Sequence, residues 1–344
     1  MALAAATFGP IGGGSTPAGA ETTLPAATFV GTHPYAADQP TANGKALRDL
    51  QVHGGKVWAG YGDYNANTGP ITLAGYDPTT GGFEAGFTSD TEAVLNLRNI
   101  GGELVAPSTD PRQRADFAIS GPWRESRPLG ATHVYDAATL NGADRWMVGS
   151  QGADAVAWRS IDGGTTWSES LRIGPSSGAV GDYARFYFAA IVGGKLYVQA
   201  VNAMSGPQAK ANAFDGSTWS NAPSIVPVGS VGWAPIAFGG GVAFHSYGHG
   251  TLGNIFFFDG KRVRTIGAGY DVHVAAGSLW LLDGAGLIQR TSDLVNWATV
   301  GTAPSNARSL AVDAGTIYVG TTTAELWSLP ASAGAYLNGR RVRR

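Results

Sequence analysis

One phrase recurs seven times along this chain: an apolar alternating run, a turn of small residues and glycine, then a second β-rich run. The copies span Leu50–Trp58, Leu97–Val105, Ala138–Trp146, Ala190–Tyr197, Ile236–Ala243, Val274–Trp280 and Leu310–Tyr318, the third with a longer turn. Taking Gly55, Gly102, Gly142, Gly194, Gly240, Gly277 and Gly315 as marks, successive copies lie 47, 40, 52, 46, 37 and 38 residues apart. Glycine supplies positive φ at each turn, and β-branched or aromatic residues fill the flanks, so each copy reads as a β-hairpin. A third strand follows in several copies, as at Ala153–Arg159, Asn254–Phe258 and Ala324–Ser328, and then a turn and a fourth.

Repeats of 40–50 residues, each of four strands, are the signature of propeller blades. The expected fold is therefore all-β, a seven-bladed β-propeller. Two or three packed sandwiches are the plainer alternative. Ring closure has its own trace. Ala27–Thr32 followed by Gly44–Arg48 resembles Ala298–Thr302 followed by Asn306–Arg308, an outer strand leading into the next inner strand. Residues 27–31 are thus expected to complete the seventh blade, which removes the exposed edges. The organisation expected is an arm rich in Gly, Ala and Pro over 1–26, a propeller over 27–330 and a basic tail over 331–344.

Composition narrows the function. Only 14% of the 344 residues are charged and the net charge is −2, so no global field favours nucleic acid or an anionic membrane. There is no Cys, hence no disulfide and no thiolate metal site. No apolar run approaches the ~18 residues of a membrane helix. The first twenty residues lack the basic and apolar regions of a secretory signal, so synthesis in the cytoplasm without a signal peptide is expected. Gly12–Pro17 has no following Lys-Ser/Thr and is not a phosphate loop. His245 and His249 stand four apart in a Gly-rich, non-helical loop, and no metal or other cofactor is expected. The tail Gly339–Arg344, with four Arg, reads as solvated or as docking on an acidic neighbour.

The seven repeats also align a candidate site. Seven residues before the marks stand Arg48, Leu95, Tyr135, Tyr187, Trp233, Tyr270 and Arg308. Equivalent positions share one height around the axis, near the start of the inner strands. Arg48, Tyr135, Tyr187, Trp233, Tyr270 and Arg308 are types that stack and make bidentate hydrogen bonds, so a polar or glycan-like ligand at the channel mouth is one reading. The other is that large side chains plug a wide channel.

Ser160-Ile-Asp-Gly-Gly-Thr-Thr-Trp167 resembles the Asp box of sialidase-like propellers, with Ser160, Asp162, Gly164, Thr166 and Trp167 in its fixed places. Asp215–Trp219 and Ser292–Trp297, carrying Asp215, Trp219, Asp293 and Trp297, are shortened relatives, and Asp77–Gly81 and Asp259–Lys261 are weaker ones. The resemblance implies a structural turn between the third and fourth strands, on the face opposite an active site. It does not imply sialidase activity. That family's Arg-Ile-Pro segment is absent, and with seven Glu in the chain no spacing marks the paired carboxylates that glycoside cleavage needs.

Ala59-Gly-Tyr-Gly-Asp-Tyr-Asn-Ala-Asn-Thr-Gly-Pro-Ile71, followed by Tyr76-Asp-Pro78, resembles minor tail proteins of tailed bacteriophages that infect actinobacteria. That resemblance implies a noncatalytic virion component that takes part in tail assembly and host attachment. Its expected partners are other tail proteins and a host cell-wall glycan, with neither nucleic acid nor membrane insertion. An Asp-box glycoside hydrolase and a carbohydrate-binding propeller are the alternatives. Two carboxylates in a pocket at the mouth would distinguish the hydrolase.

Overall fold

The two-residue turns require positive φ at both central positions. In the computed structural model, which describes residues 24–108, 117–126, 130–248, 250–331, 336–337 and 340–341, the Gly54–Gly55, Gly101–Gly102, Gly193–Gly194 and Gly239–Gly240 pairs meet that requirement. In the last two repeats an alanine takes the first place: Ala276 (φ 48°) with Gly277, and Ala314 (φ 44°) with Gly315. The third copy's longer turn is held by Gly142, whose N–H donates to Thr139 Oγ1 at 2.7 Å.

Each hairpin opens a four-stranded antiparallel sheet in which sequence neighbours pair. The first is Asp49–His53, Lys56–Gly60, Ile71–Asp77 and Gly82–Ser89. The inner strands of the next five sheets are Arg98–Ile100, His133–Thr139, Ala190–Val192, Trp233–Phe238 and the second half of Val263–Ala275. That last strand runs unbroken from the outer edge of the fifth sheet to the inner edge of the sixth. The fourth repeat carries an extra small sheet, Ala184–Phe186 with Ala200–Asn202 and Gly206–Pro207, which the repeat pattern does not anticipate.

The seventh sheet, Ala307–Asp313, Thr316–Thr321 and Glu325–Pro330, takes its outer strand from the other end of the chain. Thr28–Thr32 pairs antiparallel with it, Thr28 opposite Ser328 and Phe29 opposite Trp327. The closing strand thus sits one residue later than the 27–31 expected. Ala27 N also donates to Thr302 O at 3.0 Å, which ties the entering chain to the sixth sheet. Each inner strand touches the next around a complete circuit, the seventh against the first. Six apolar clusters fill the gaps between successive sheets, one of them spanning the seventh, first and second around Leu50, Trp58, Leu104 and Tyr318. Of the tail, Tyr336–Leu337 adds to Ala298–Thr302 through Thr299 and Tyr336. The arm lies almost wholly outside the described residues.

Polar side chains link the blades where the inner strands begin. Asp49 accepts the backbone N–H of Leu97 in the second blade. Asn96 Nδ2 donates to Asp136 Oδ1 (2.8 Å) and Tyr135 O in the third. Asp136 Oδ2 accepts from Ala189 N in the fourth at 2.8 Å, and Asp271 Oδ2 from Leu310 N in the seventh at 2.8 Å. Ser309 Oγ donates to Leu47 O, leading into the first blade, at 2.7 Å. These residues occupy one repeat position, six before the mark. In the fourth and fifth blades that position is Phe188, stacked on Phe244, and Ala234. Asp136 is fully buried, and burial pushes its carboxyl up while Arg98, 3.1 Å away, and the donated N–H groups oppose it. Removing one partner of such a pair leaves an uncompensated charge and costs about 3–5 kcal/mol. Asp136→Ala is expected to lose that much in urea unfolding; a loss under ~1 kcal/mol would contradict a structural role for the belt.

His33 follows the closing strand directly. Its N–H donates to Ala324 O at 2.7 Å, and its Nδ1 accepts from Ala36 N at 3.0 Å, capping the single turn Pro34–Ala37. Tyr61 and Phe83 enclose the ring, and burial lowers its pKa to about 4. The unfolded chain takes up this proton near pH 6.5 and the native state does not until about 4. Stability therefore falls as pH drops through that window, by on the order of 3 kcal/mol in all. Urea midpoints between pH 7 and 4 should show this slope, and His33→Asn, which keeps a cap acceptor, should remove it. An equal slope in the variant would overturn the assignment.

Candidate functional site

In a four-stranded meander the first and third strands run parallel. The Gly turns and the turns between third and fourth strands therefore share one end. The starts of the inner strands and the loops between second and third strands share the other. At that second end lies a cavity of about 540 Å³. Arg48, Leu95, Tyr135, Tyr187 and Trp233 of the aligned ring line it. Tyr270 and Arg308 do not. The Arg308 guanidinium lies 4.4 Å over the Tyr270 ring, and Gly250 packs over both blades. A Cβ on Gly250 would lie 3.3 Å from Arg308 Cβ and 3.4 Å from Arg48 Cγ, and its N–H donates to Tyr270 O. A loop of the fifth blade thus covers the side of the mouth where Tyr270 and Arg308 stand.

Both readings of the ring have a physical counterpart. Leu95, Tyr135 and Trp233 are buried and pack with Ala93 and Ala234 in the channel, forming a floor. A second cavity of about 520 Å³, reached from the Gly-turn end, includes Gln51, Asn99, His273 and Arg98, the last engaged with Asp136. Above the floor Tyr187 is half-buried, 4.7 Å from the Tyr135 ring and 6.0 Å from Trp233, and burial raises its hydroxyl pKa.

Other lining residues come from outside the ring. Arg185 lies in the short strand Ala184–Phe186 of the extra sheet, two residues before Tyr187. Its guanidinium lies 4.1 Å over Tyr183 and 5.7 Å over Tyr135. Tyr247 and Asn43 arrive from loops of the fifth blade and of the entry to the first. Tyr64 and Asn65 belong to the loop 61–70, whose glycines fit only as glycines. A Cβ at Gly62 (φ +115°) would lie 2.5 Å from Glu92 O, and one at Gly69 2.1 Å from Thr91 O. The Tyr61 hydroxyl donates to Thr72 O and accepts from Thr72 N, and Asp63 accepts from Asn65 N and Thr41 Oγ1. The distinctive run at 59–71 is therefore the sequence of a close-packed loop that carries Tyr64 and Asn65 to the mouth. Of the fourteen described lining residues six are aromatic and two are arginine, and none is Asp or Glu.

No protein-family model matches this chain, and no curated protein matches it. Solved structures do. A catalytically inactive virginiamycin B lyase from Staphylococcus aureus, with quinupristin, is similar over 85% of this chain and 97% of its own, at 14% identity and a TM-score of 0.57. The extracellular domain of BT4673 from B. thetaiotaomicron is similar over 94% of this chain and 45% of its own, at 10% identity and a TM-score of 0.57. YCF48 bound to D1 peptide covers 90% and 98%, at 13% identity and a TM-score of 0.51. The fold is a β-propeller. Identities this low carry the architecture alone.

The propeller's other face holds the acidic turns. Between Asp154–Ser160 and Ser168–Ile173, Asp162 accepts from Thr166 N (2.9 Å), Thr166 Oγ1, Thr165 N and Ser160 Oγ. Gly163 and Gly164 take positive φ, and Trp167 Nε1 donates to Ser126 Oγ of the second blade. Asp215 accepts from Ser217 N and Thr218 N, and Trp219 Nε1 donates to Ser170 Oγ of the third blade. Asp293 accepts from Val295 N and Asn296 N, with Thr291, two residues before it, standing where Ser160 stands in the third blade. Trp297 packs against the cluster between the fifth and sixth blades. The donated hydrogen bonds hold all three carboxyls below the usual range, Asp215 to about 2. His245 pins its own loop through Tyr247 N and Gly269 O, and His249 lies outside the described residues. Among the described residues no three His, Cys, Asp or Glu gather as a metal site. Because this turn and the mouth lie at opposite ends of the blade, Asp162→Ala should lower Tm by a few degrees and leave mouth affinity unchanged. An unchanged Tm in differential scanning calorimetry would contradict its turn role.

Proposed function

We propose that this propeller is a noncatalytic component of a tailed-bacteriophage virion, a minor tail protein that takes part in tail assembly and holds host cell-surface glycan at its mouth. The observation that carries the noncatalytic half is the lining of the mouth. Glycoside cleavage uses two carboxyl groups about 5–10 Å apart. The mouth offers aromatic faces and guanidinium groups, which bind saccharides but have no acid/base pair with which to cleave them. The phage half rests on the resemblance of 59–71 to minor tail proteins, and two residues of that phrase, Tyr64 and Asn65, reach the cavity. On this reading the arm at 1–26 and the basic tail hold the propeller among other tail proteins, neither nucleic acid nor a membrane is a partner, and the chain is made in the host cytoplasm.

Mass spectrometry of density-purified particles of the phage whose genome carries this chain should find it at a fixed copy number; its absence from the particles would overturn the assembly role. In pull-downs with host cell-wall fragments, Tyr187→Ala is expected to weaken binding at least tenfold with the fold intact. Undiminished binding would remove the mouth from the proposal.

A further inference from the structure

Buried hydrogen-bond donors stand without acceptors at the mouth. Elsewhere in the propeller Arg98, Arg124, Arg145, Arg159, Arg172 and Arg262 each lie within 4.0 Å of a carboxylate. Arg48 and Arg185, which both line the cavity, have no described carboxylate at that distance. Arg48 donates to the Asn43 side-chain carbonyl. Asp63, whose charge acts on Arg48, commits its oxygens to Thr41 Oγ1 and Asn65 N. Arg308, beneath the covering loop beside Arg48, donates to its own neighbour's carbonyl, Ala307 O. Two further donors in the lining are out of solvent and unpartnered: Arg185 Nε, and Nε1 of Trp233, a residue only 4% exposed. A buried donor left without an acceptor destabilises the fold, because its lost hydration is not replaced. Such an arrangement is retained at a cost that a ligand rich in acceptors removes. In a chain of net charge −2, the described lining carries two positive charges and no negative one.

From these groups we infer that the mouth selects an anionic saccharide, a sugar chain bearing carboxylate or phosphate. The acceptor groups meet the Arg48 and Arg185 guanidiniums, each with the fork geometry that arginine uses for both anions. The sugar rings lie against the aromatic faces, among which Tyr64 and Tyr247 are the exposed ones at the rim. The inference deepens the glycan reading of the mouth and rests on it.

Calorimetric titration of the full chain with three probes separates the two. The probes are trigalacturonate, phosphorylated maltotriose and maltotriose. At least one anionic probe is expected to bind tenfold or more tightly than maltotriose, with affinity falling as salt is raised; which of the two it is assigns carboxylate or phosphate. Arg185→Gln should weaken binding of the anionic probe at least tenfold more than it weakens binding of maltotriose. Arg48→Gln serves as the second variant should the first fail to fold. Equal affinity for charged and neutral probes would overturn the anion selectivity and leave the glycan reading standing. No binding of any probe would overturn both.

Discussion

The structure depends on a side chain at one repeat position reaching from one blade to the backbone of the next. Asp49, Asn96, Asp136, Asp271 and Ser309 do this at the start of five of the seven inner strands. Inner strands sit where the sheets converge, and there is little room between them for the apolar side chains that fill the wider gaps outside. A short polar side chain spans the narrow distance and satisfies a backbone group that the convergence would otherwise leave without a partner. Where Phe188 and Ala234 replace it, other devices carry the join: Phe188 stacks on Phe244, and between the fifth and sixth blades one continuous strand serves both sheets.

The belt also explains the mouth. In the third, sixth and seventh blades the residue seven before the mark, Tyr135, Tyr270 or Arg308, is the extra residue at a shift of the strand register, directly before the one that reaches the neighbouring blade. The two rings are therefore one register read twice, and the links that space the blades also space Arg48, Leu95, Tyr135, Tyr187 and Trp233 around the cavity. The mouth inherits its rigidity from contacts that make no part of it. Among the residues that reach it from outside that register, three are held locally: Tyr64 by the close-packed 61–70 loop, Arg185 by stacking on Tyr183, and Tyr247 by its hydroxyl on Gly229 O.

What could be read from the sequence was what repeats. The Gly turns announce themselves because a two-residue hairpin excludes most other residues, and the closing strand because 27–32 copies the context of 298–302. Less legible were features that belong to a single blade. The small sheet of Ala184–Phe186 interrupts the fourth repeat with residues no less β-prone than its neighbours. The hydroxyl partner of Asp293 is Thr291 and lies outside the Ser292–Trp297 run, because a turn is defined by the atoms that meet, and Thr supplies the same oxygen as Ser. Most of the cavity lining came from loops and from positions outside the aligned ring. Alignment by repeat finds what all blades share, whereas a ligand site in a ring of near-equivalent blades is made by the ways in which they differ.

That asymmetry is the last step. A ring with seven equal mouth residues would present a symmetric pore and no preferred orientation for a ligand. Here the fifth blade's loop lies over the sixth and seventh, Gly250 filling the space beside Arg308 and Tyr270, so the open part of the mouth is confined to the side of the first five blades. The floor of Leu95, Tyr135 and Trp233 closes the channel below it. The channel thereby becomes a blind, one-sided pocket, the shape in which a ligand is held instead of passed through, and Arg48 and Arg185, with no described carboxylate within 4.0 Å, lie on its walls.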